Sequence, residues 1–235
     1  MTEGVKGVVF DMDDVIYLER DYVRSGLMAV ARSLADEKDG GMVEGLFDLL
    51  WTMLGQAGEQ DPFSRLLNEK PELGGGRTAE DLAAIYRTHK PSIEVLPRMR
   101  ALLEELQGRG IRCGLVADGD TEVQERKAMA LGADELFDGV LLTHHFDREP
   151  WKLSSLSLDI VAHNMNLLNE SLVYVGDNPV KDFLGAHKLG WTSILLEQPG
   201  QLRDKEGQAL VEPTHTVGGM DQLRELLLRM TTAPE

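Results

Sequence analysis

Apolar residues along the chain collect into five short runs rich in β-branched side chains, at 7–10, 111–116, 139–142, 172–175 and 192–196. Between them the apolar positions recur with a helical period. Met99, Leu102, Leu103 and Leu106 follow Pro97 at i, i+3, i+4 and i+7, and Leu223, Leu226, Leu227 and Met230 repeat that spacing near the C-terminus. Strand-length runs alternating with amphipathic helices predict βαβ units and therefore a parallel, doubly wound sheet. From about residue 18 to residue 94 the strand signal stops. Helices are predicted there near 22–35, 42–56, 62–68 and 79–88, separated by Asp39-Gly40-Gly41 and Gly74-Gly75-Gly76. The stretch from Val43 to Leu54 is apolar nearly all round, which predicts the central helix of that group. The expected fold is α/β: a Rossmann-like core of residues 1–17 plus 95–235, with an all-helical insertion, residues 18–94, read as a cap over the strand ends.

Composition narrows the picture. With 235 residues, 42% of them hydrophobic, and no apolar run of membrane-spanning length, the chain is expected to be globular and to have no membrane partner. Its start carries Glu3 and Lys6 and runs directly into an apolar strand, so no secretion signal is read there and a cytoplasmic address is expected. Forty acidic against 24 basic residues give a formal charge of -16, the wrong sign for following a nucleic-acid backbone. A small phosphorylated ligand stays compatible with that charge, because a bound cation and a few basic groups reverse the field inside a cleft. Cys113, the single cysteine, cannot form an internal disulfide and is read as a small buried side chain.

The candidate chemistry lies at strand ends. The first run passes straight into Asp11-Met12-Asp13, two carboxylates two residues apart where a parallel sheet opens toward ligands. The fourth run ends in Gly176-Asp177-Asn178-Pro179 and is followed by Asp182. One reading makes these turn residues, with Asp177 or Asn178 capping a helix that begins near Pro179. The other gathers the acids around a hard divalent ion. Oxygens of Asp11 and Asp177 with a backbone carbonyl fit Mg²⁺, water and phosphate completing its shell.

The segments Phe-Asp-Met-Asp-Asp-Val from residue 10 and Val-Gly-Asp-Asn-Pro from residue 175 resemble the first and fourth motifs of the haloacid dehalogenase-like (HAD) hydrolase superfamily. The resemblance covers essentially the whole chain, and an insertion directly after the first motif resembles the helical C1-type cap of subfamily I. Residues 118–124, with Lys127, Leu131-Gly132 and Phe137-Asp138, are similar to members that act as small-molecule phosphatases. What the resemblance implies is Mg²⁺-dependent hydrolysis of a phosphomonoester, with a small phosphorylated metabolite as partner. Asp11 would be the nucleophile that becomes an aspartyl-phosphate, and Asp13 the acid and base for leaving group and water. The Asp13 carbonyl would join Asp11 and Asp177 on the metal, with Asp182 and Asn178 supporting them from behind.

Two departures from the family pattern bear on the rate. Ala117 stands where the second motif offers a Thr or Ser hydroxyl, leaving the backbone N–H groups of Asp118 and Gly119 as a partial phosphate nest. Lys152 is the expected phosphate-binding cation of the third motif, although Leu153 replaces the usual proline; alignment on Pro150 would put Glu149 there instead. A degenerate protein that binds a phosphorylated ligand or a partner without efficient turnover is the alternative function. His144 and His145, with no acid or cysteine at zinc spacing, are read as loop residues. Tyr17, Arg20, His89 and Lys90 flank the two crossings into the insertion, where hinges or substrate contacts are expected. Neither substrate identity nor oligomeric state is legible in the chain.

Overall fold

The five apolar runs form β1 (Gly7–Asp11), β2 (Arg112–Asp118), β3 (Gly139–Thr143), β4 (Leu172–Gly176) and β5 (Thr192–Leu196). A computed structural model of the chain describes residues 4–35, 40–55, 61–143, 155–202 and 209–231. Among the described residues a sixth strand, β6 (His215–Val217), joins them in a sheet of order β3-β2-β1-β4-β5-β6, all pairings parallel. The sequence reading missed β6. Its three residues include two exposed polar ones, too little to register as a strand pattern.

Burial explains why the central strands are apolar throughout rather than alternating: β1 and β4 are buried at every residue. One face of the sheet, with Val9, Val116, Tyr174 and Leu195, packs on α8 (Ser155–Asn164) and α9 (Phe183–Lys188) through Leu158, Val161, Ala162, Phe183 and Ala186. The predicted stripes of α5 (Pro97–Gly108) and α10 (Met220–Thr231) are buried at Met99, Leu102, Leu103 and Leu106 and at Leu223 and Leu227. After β1 the chain adds β2 and β3 on one side, then returns to lay β4 against the other edge of β1 and continues outward. That reversal is the switch point at which ligand crevices open. Its register, Phe10 opposite Val175, brings Asp11 level with Gly176.

The chain divides into two compact units, Met1–Glu19 with Glu94–Glu235, and Arg20–Ile93. The second unit is helical: most of α1 (Glu19–Leu34), then α2 (Gly40–Gly55), α3 (Pro62–Glu69), a 3₁₀ turn at Pro71–Gly74, and α4 (Ala79–Thr88). Leu46, Phe47, Leu50 and Met53 of α2 are four of the ten buried residues in its core cluster, as the apolar stretch from Val43 predicts. Helix starts are sharply written. Asp61 accepts from the N–H groups of Phe63 and Ser64, and Thr78 and Asp81 form a reciprocal capping box. His89 joins the end of α4 to α1: one ring nitrogen meets the Tyr86 carbonyl at 2.6 Å and the other Ser25 Oγ at 3.0 Å. That makes it a structural tie within this unit rather than a surface residue. Among the described residues no helix is long and apolar enough to cross a membrane.

Cys113 lies in β2 and is buried, as expected. Desolvation, with a smaller push from the Asp138 carboxylate, drives its thiol from an ordinary value of 9.0 up to about 12. The folded value is the higher one, so this group's contribution to stability is complete below about pH 9 and is lost as pH rises toward 12. Titration with a disulfide reagent at pH 8 is expected to leave the native thiol unmodified and to find one thiol per chain after denaturation. Replacement by Ala should flatten the alkaline decline in stability.

Candidate active site

Asp11 ends β1 with its carboxylate buried and its Oδ1 accepting the N–H of Met12 at 2.7 Å, which fixes the side chain at the mouth of the sheet. One strand away β4 ends at Gly176, and Asp177, Asn178 and Asp182 follow, all buried. Asp182 Oδ2 accepts the N–H groups of Asp177 at 3.1 Å and Asn178 at 2.8 Å, so its carboxylate lies back across the strand end. Gly176 is what permits this approach: a Cβ there would lie 2.5 Å from Asp182 Oδ2. The helix-capping reading of these residues does not hold. Helix α9 begins at Phe183, Asn178 Oδ1 instead accepts the Val180 N–H at 3.0 Å within a turn, and Asp182 makes no cap bond to its helix.

The result is a cluster in which Asp11, Asp177 and Asp182 each offer an oxygen, all within 4.8 Å of one another. Asp182, expected behind Asp11 and Asp177, offers its oxygen at the same spacing as theirs. Three buried carboxylates at that spacing repel by on the order of 3 kcal/mol per pair at an effective dielectric of about 20. The donors are hard oxygens, convergent and shielded from solvent, so they fit a small divalent cation such as Mg²⁺ rather than a soft metal.

Asp13 points elsewhere. Its carboxylate is held by Lys127, whose Nζ donates to Oδ1 at 2.9 Å and Oδ2 at 3.0 Å, and by the hydroxyl of Tyr17, which donates to Oδ1. Lys127 belongs to α6 (Thr121–Leu131), which starts at the Asp120 cap and ends at Gly132 in the left-handed conformation. Sequence reading noted Lys127 only within a resemblance and gave it no role. The signal was available: Gln124, Lys127, Ala128 and Leu131 form the buried stripe of α6, and a lysine on such a stripe requires a buried partner. Lys152, the cation expected from the third motif, lies outside the described residues, as do His144, His145 and Glu149.

At the end of β2, Ala117 is buried and has no hydroxyl to offer a phosphate. Thr143, its neighbour at the end of β3, directs its hydroxyl to the Ala117 carbonyl at 3.2 Å and to Asp118 Oδ1 at 2.8 Å. The Gly119 N–H, expected to face phosphate, donates to the Thr143 carbonyl at 3.3 Å. In this arrangement the nest expected from Asp118 and Gly119 is drawn partly toward β3.

Asp14 was not singled out by sequence reading, and the loop after β1 is built on it. Its φ of 57° is a left-handed conformation that few residues other than glycine adopt; Asp and Asn are among those that tolerate it. The buried carboxylate accepts the N–H of Glu19 at 2.8 Å and that of Leu202 at 2.6 Å, while its carbonyl accepts the side-chain amides of Gln198 at 3.1 Å and Gln201 at 2.9 Å.

A sequence profile of the haloacid dehalogenase-like hydrolases matches residues 5–190, and the chain belongs to that family. Among curated relatives, a glyceraldehyde 3-phosphate phosphatase of Methanocaldococcus jannaschii is 25% identical over 228 residues, 95% of this chain and 97% of the relative. A phosphoserine phosphatase of Thermus thermophilus is 26% identical over 175 residues, covering 71% of this chain and 65% of its own length. The fold matches a haloacid dehalogenase-like family hydrolase from Xanthomonas campestris with a TM-score of 0.58 at 20% identity, over 97% of both chains.

Replacing Asp14 with Ala removes two charge-assisted acceptors from backbone donors and keeps the left-handed residue; it is expected to cost about 2–4 kcal/mol in denaturant unfolding. Gly at this position should cost about 1 kcal/mol less than Ala, because the backbone strain is relieved.

Proposed function

We propose that the chain is a Mg²⁺-dependent phosphatase of small phosphate monoesters that works through an aspartyl-phosphate on Asp11. The observation that carries this reading is the buried cluster of Asp11, Asp177 and Asp182 at the switch point, with a second acid, Asp13, two residues from the nucleophile. The relatives' names support the substrate class, since glyceraldehyde 3-phosphate and phosphoserine are both small alkyl phosphates.

An oxygen of Asp11 attacks phosphorus, forming the aspartyl P–O bond as the ester P–O bond breaks. Asp13 gives its proton to the departing alkoxide and afterwards takes one from the water that attacks the aspartyl-phosphate, releasing phosphate and restoring Asp11. Asp11, Asp177 and Asp182 would hold Mg²⁺ together with the carbonyl of Asp13, Asn178 supporting the loop. Bound there, the ion supplies positive charge against the phosphoryl oxygens. Lys152 is the further phosphate cation in this reading, with the N–H of Asp118. The chemistry belongs to a core domain of residues 1–17 plus 95–235, and residues 18–94 form the inserted domain.

A second reading, a binder of phosphorylated ligands with little turnover, is favoured by Ala117 and by the engagement of the Gly119 N–H with Thr143. Loss of one transition-state donor costs roughly 10² to 10³ in rate.

Phosphate release from a panel including glyceraldehyde 3-phosphate and O-phosphoserine is expected with Mg²⁺ and not with EDTA. Asp11→Asn should lower it by at least about 10³-fold, as removal of a covalent nucleophile does. No release from any ester, with wild type and Asp11→Asn alike, overturns the phosphatase reading. Mg²⁺ with orthovanadate at about 100 times its Kd should add about 2.7 kcal/mol of stability. That corresponds to a rise in melting temperature of roughly 5–10 °C for a chain of this size. Ala117→Thr separates the two readings: a rate gain of about tenfold or more marks a phosphatase short of one donor, whereas retained vanadate binding with no phosphate release from either protein marks a binder.

A further inference from the structure

We infer that Lys127 and Tyr17 are positioning residues that hold the side chain of Asp13, which as the acid gives its proton to the leaving group and as the carboxylate takes one back from water, an inference that rests on the phosphatase reading. The lysine side chain is 4% exposed and the Asp13 side chain 23% exposed, so the pair is largely shielded from solvent. Taking an ammonium out of water costs several kcal/mol, which only a close, well-oriented partner offsets. Lys127 has that geometry, with both Asp13 oxygens at 2.9 and 3.0 Å.

The second hold comes from the turn itself. Ile16 N–H donates to the Met12 carbonyl at 3.0 Å, folding the chain back so that Tyr17 forms a bridge with Asp13 and places its hydroxyl on Oδ1. Tyr17 is fully buried, so its ring cannot swing away without opening the core. The carboxylate is thus gripped from two elements, α6 and its own loop. Gln124, one turn before Lys127, donates to the Asp118 carbonyl at 3.3 Å. Helix α6 therefore ties the ends of β1 and β2 through polar groups on its buried face.

A proton donor must lie within hydrogen-bond reach of the leaving oxygen, and misplacement by about 1 Å can cost 10²-fold. Side-chain freedom at Asp13 would therefore show in one class of substrate more than another. An alkyl phosphate leaves as a strongly basic alkoxide and needs the proton, whereas p-nitrophenyl phosphate leaves as a stable phenolate and does not.

The experiment measures kcat and KM for p-nitrophenyl phosphate and for glyceraldehyde 3-phosphate or O-phosphoserine, whichever turns over faster, in wild type, Lys127→Met, Lys127→Arg and Tyr17→Phe. Lys127→Met is expected to lower kcat/KM, which reports transfer to Asp11 and not the later hydrolysis that both esters share, by about 10- to 100-fold on the alkyl ester and by less than about threefold on the aryl ester. Lys127→Arg should recover most of the loss, and Tyr17→Phe should shift the alkyl-to-aryl ratio in the same direction by about threefold or more. In an Asp13→Asn background, Lys127→Met should leave the aryl rate where Asp13→Asn alone puts it. Equal losses on both esters, or an unmoved ratio, overturn the inference. Should Lys127→Met fail to fold, an unmoved ratio in folded Tyr17→Phe and Lys127→Arg overturns it equally. A wild type inactive on every ester overturns the phosphatase reading and this inference with it, whereas wild-type turnover with an unmoved ratio sinks the inference alone.

Discussion

Repulsion among acids brought to one edge of a sheet is the constraint around which the catalytic unit is arranged. Parallel pairing of β1 with β4 sets Asp11 beside Gly176 and so beside Asp177, and the turn that follows returns Asp182 to the same place. Each neighbouring choice answers that concentration of negative charge. Gly176 leaves room for the Asp182 carboxylate, two backbone N–H groups hold it, and the fourth acid, Asp13, is drawn aside by a lysine. The three remaining carboxylates offer convergent hard oxygens that fit a divalent cation.

The net charge of -16 gives this arrangement a consequence for recognition. Long-range steering of a phosphate ester by the protein's overall field is unfavourable, so attraction must arise locally and at short range. On the proposed reading, selection for phosphate would rest with a cation and the fixed donors at the strand ends, not with the surface. That suits a small ester able to diffuse into a crevice better than an extended polyanion.

Much of the architecture was legible because burial leaves its mark on composition. Strands covered on both faces must be apolar throughout, which made β1, β2 and β4 readable, and the helices of both units carry the stripe that burial demands. The edge strand β6 escaped because an exposed, three-residue strand has no such requirement. At the site, Asp11, Asp177 and Asp182 were legible because acids at strand ends are exceptional enough to need a reason. Of the two readings of the segment after Asp177, the one that starts a helix near Pro179 does not hold, since Asn-Pro suits a turn as well and the helix begins at Phe183. Lys127 and Asp14 were passed over for a common cause: their partners lie 114 and 188 residues away, at Asp13 and Leu202, and no local pattern announces a contact of that separation. The role of Tyr17 was equally hidden, because its bond to Asp13 depends on a turn whose geometry only the folded loop shows.

The bonds made by Asp14 also order events in time. The turn that begins two residues after Asp11 is fastened by Gln198, Gln201 and Leu202, which lie 184, 187 and 188 residues from Asp14 along the chain. Loop closure over such a distance is entropically expensive and comes late in folding. A refolding chain can therefore pair β1 with β2 before the strained turn at Asp14 is secured, and the loop after β1 reaches its final form only when the segment after β5 docks on it.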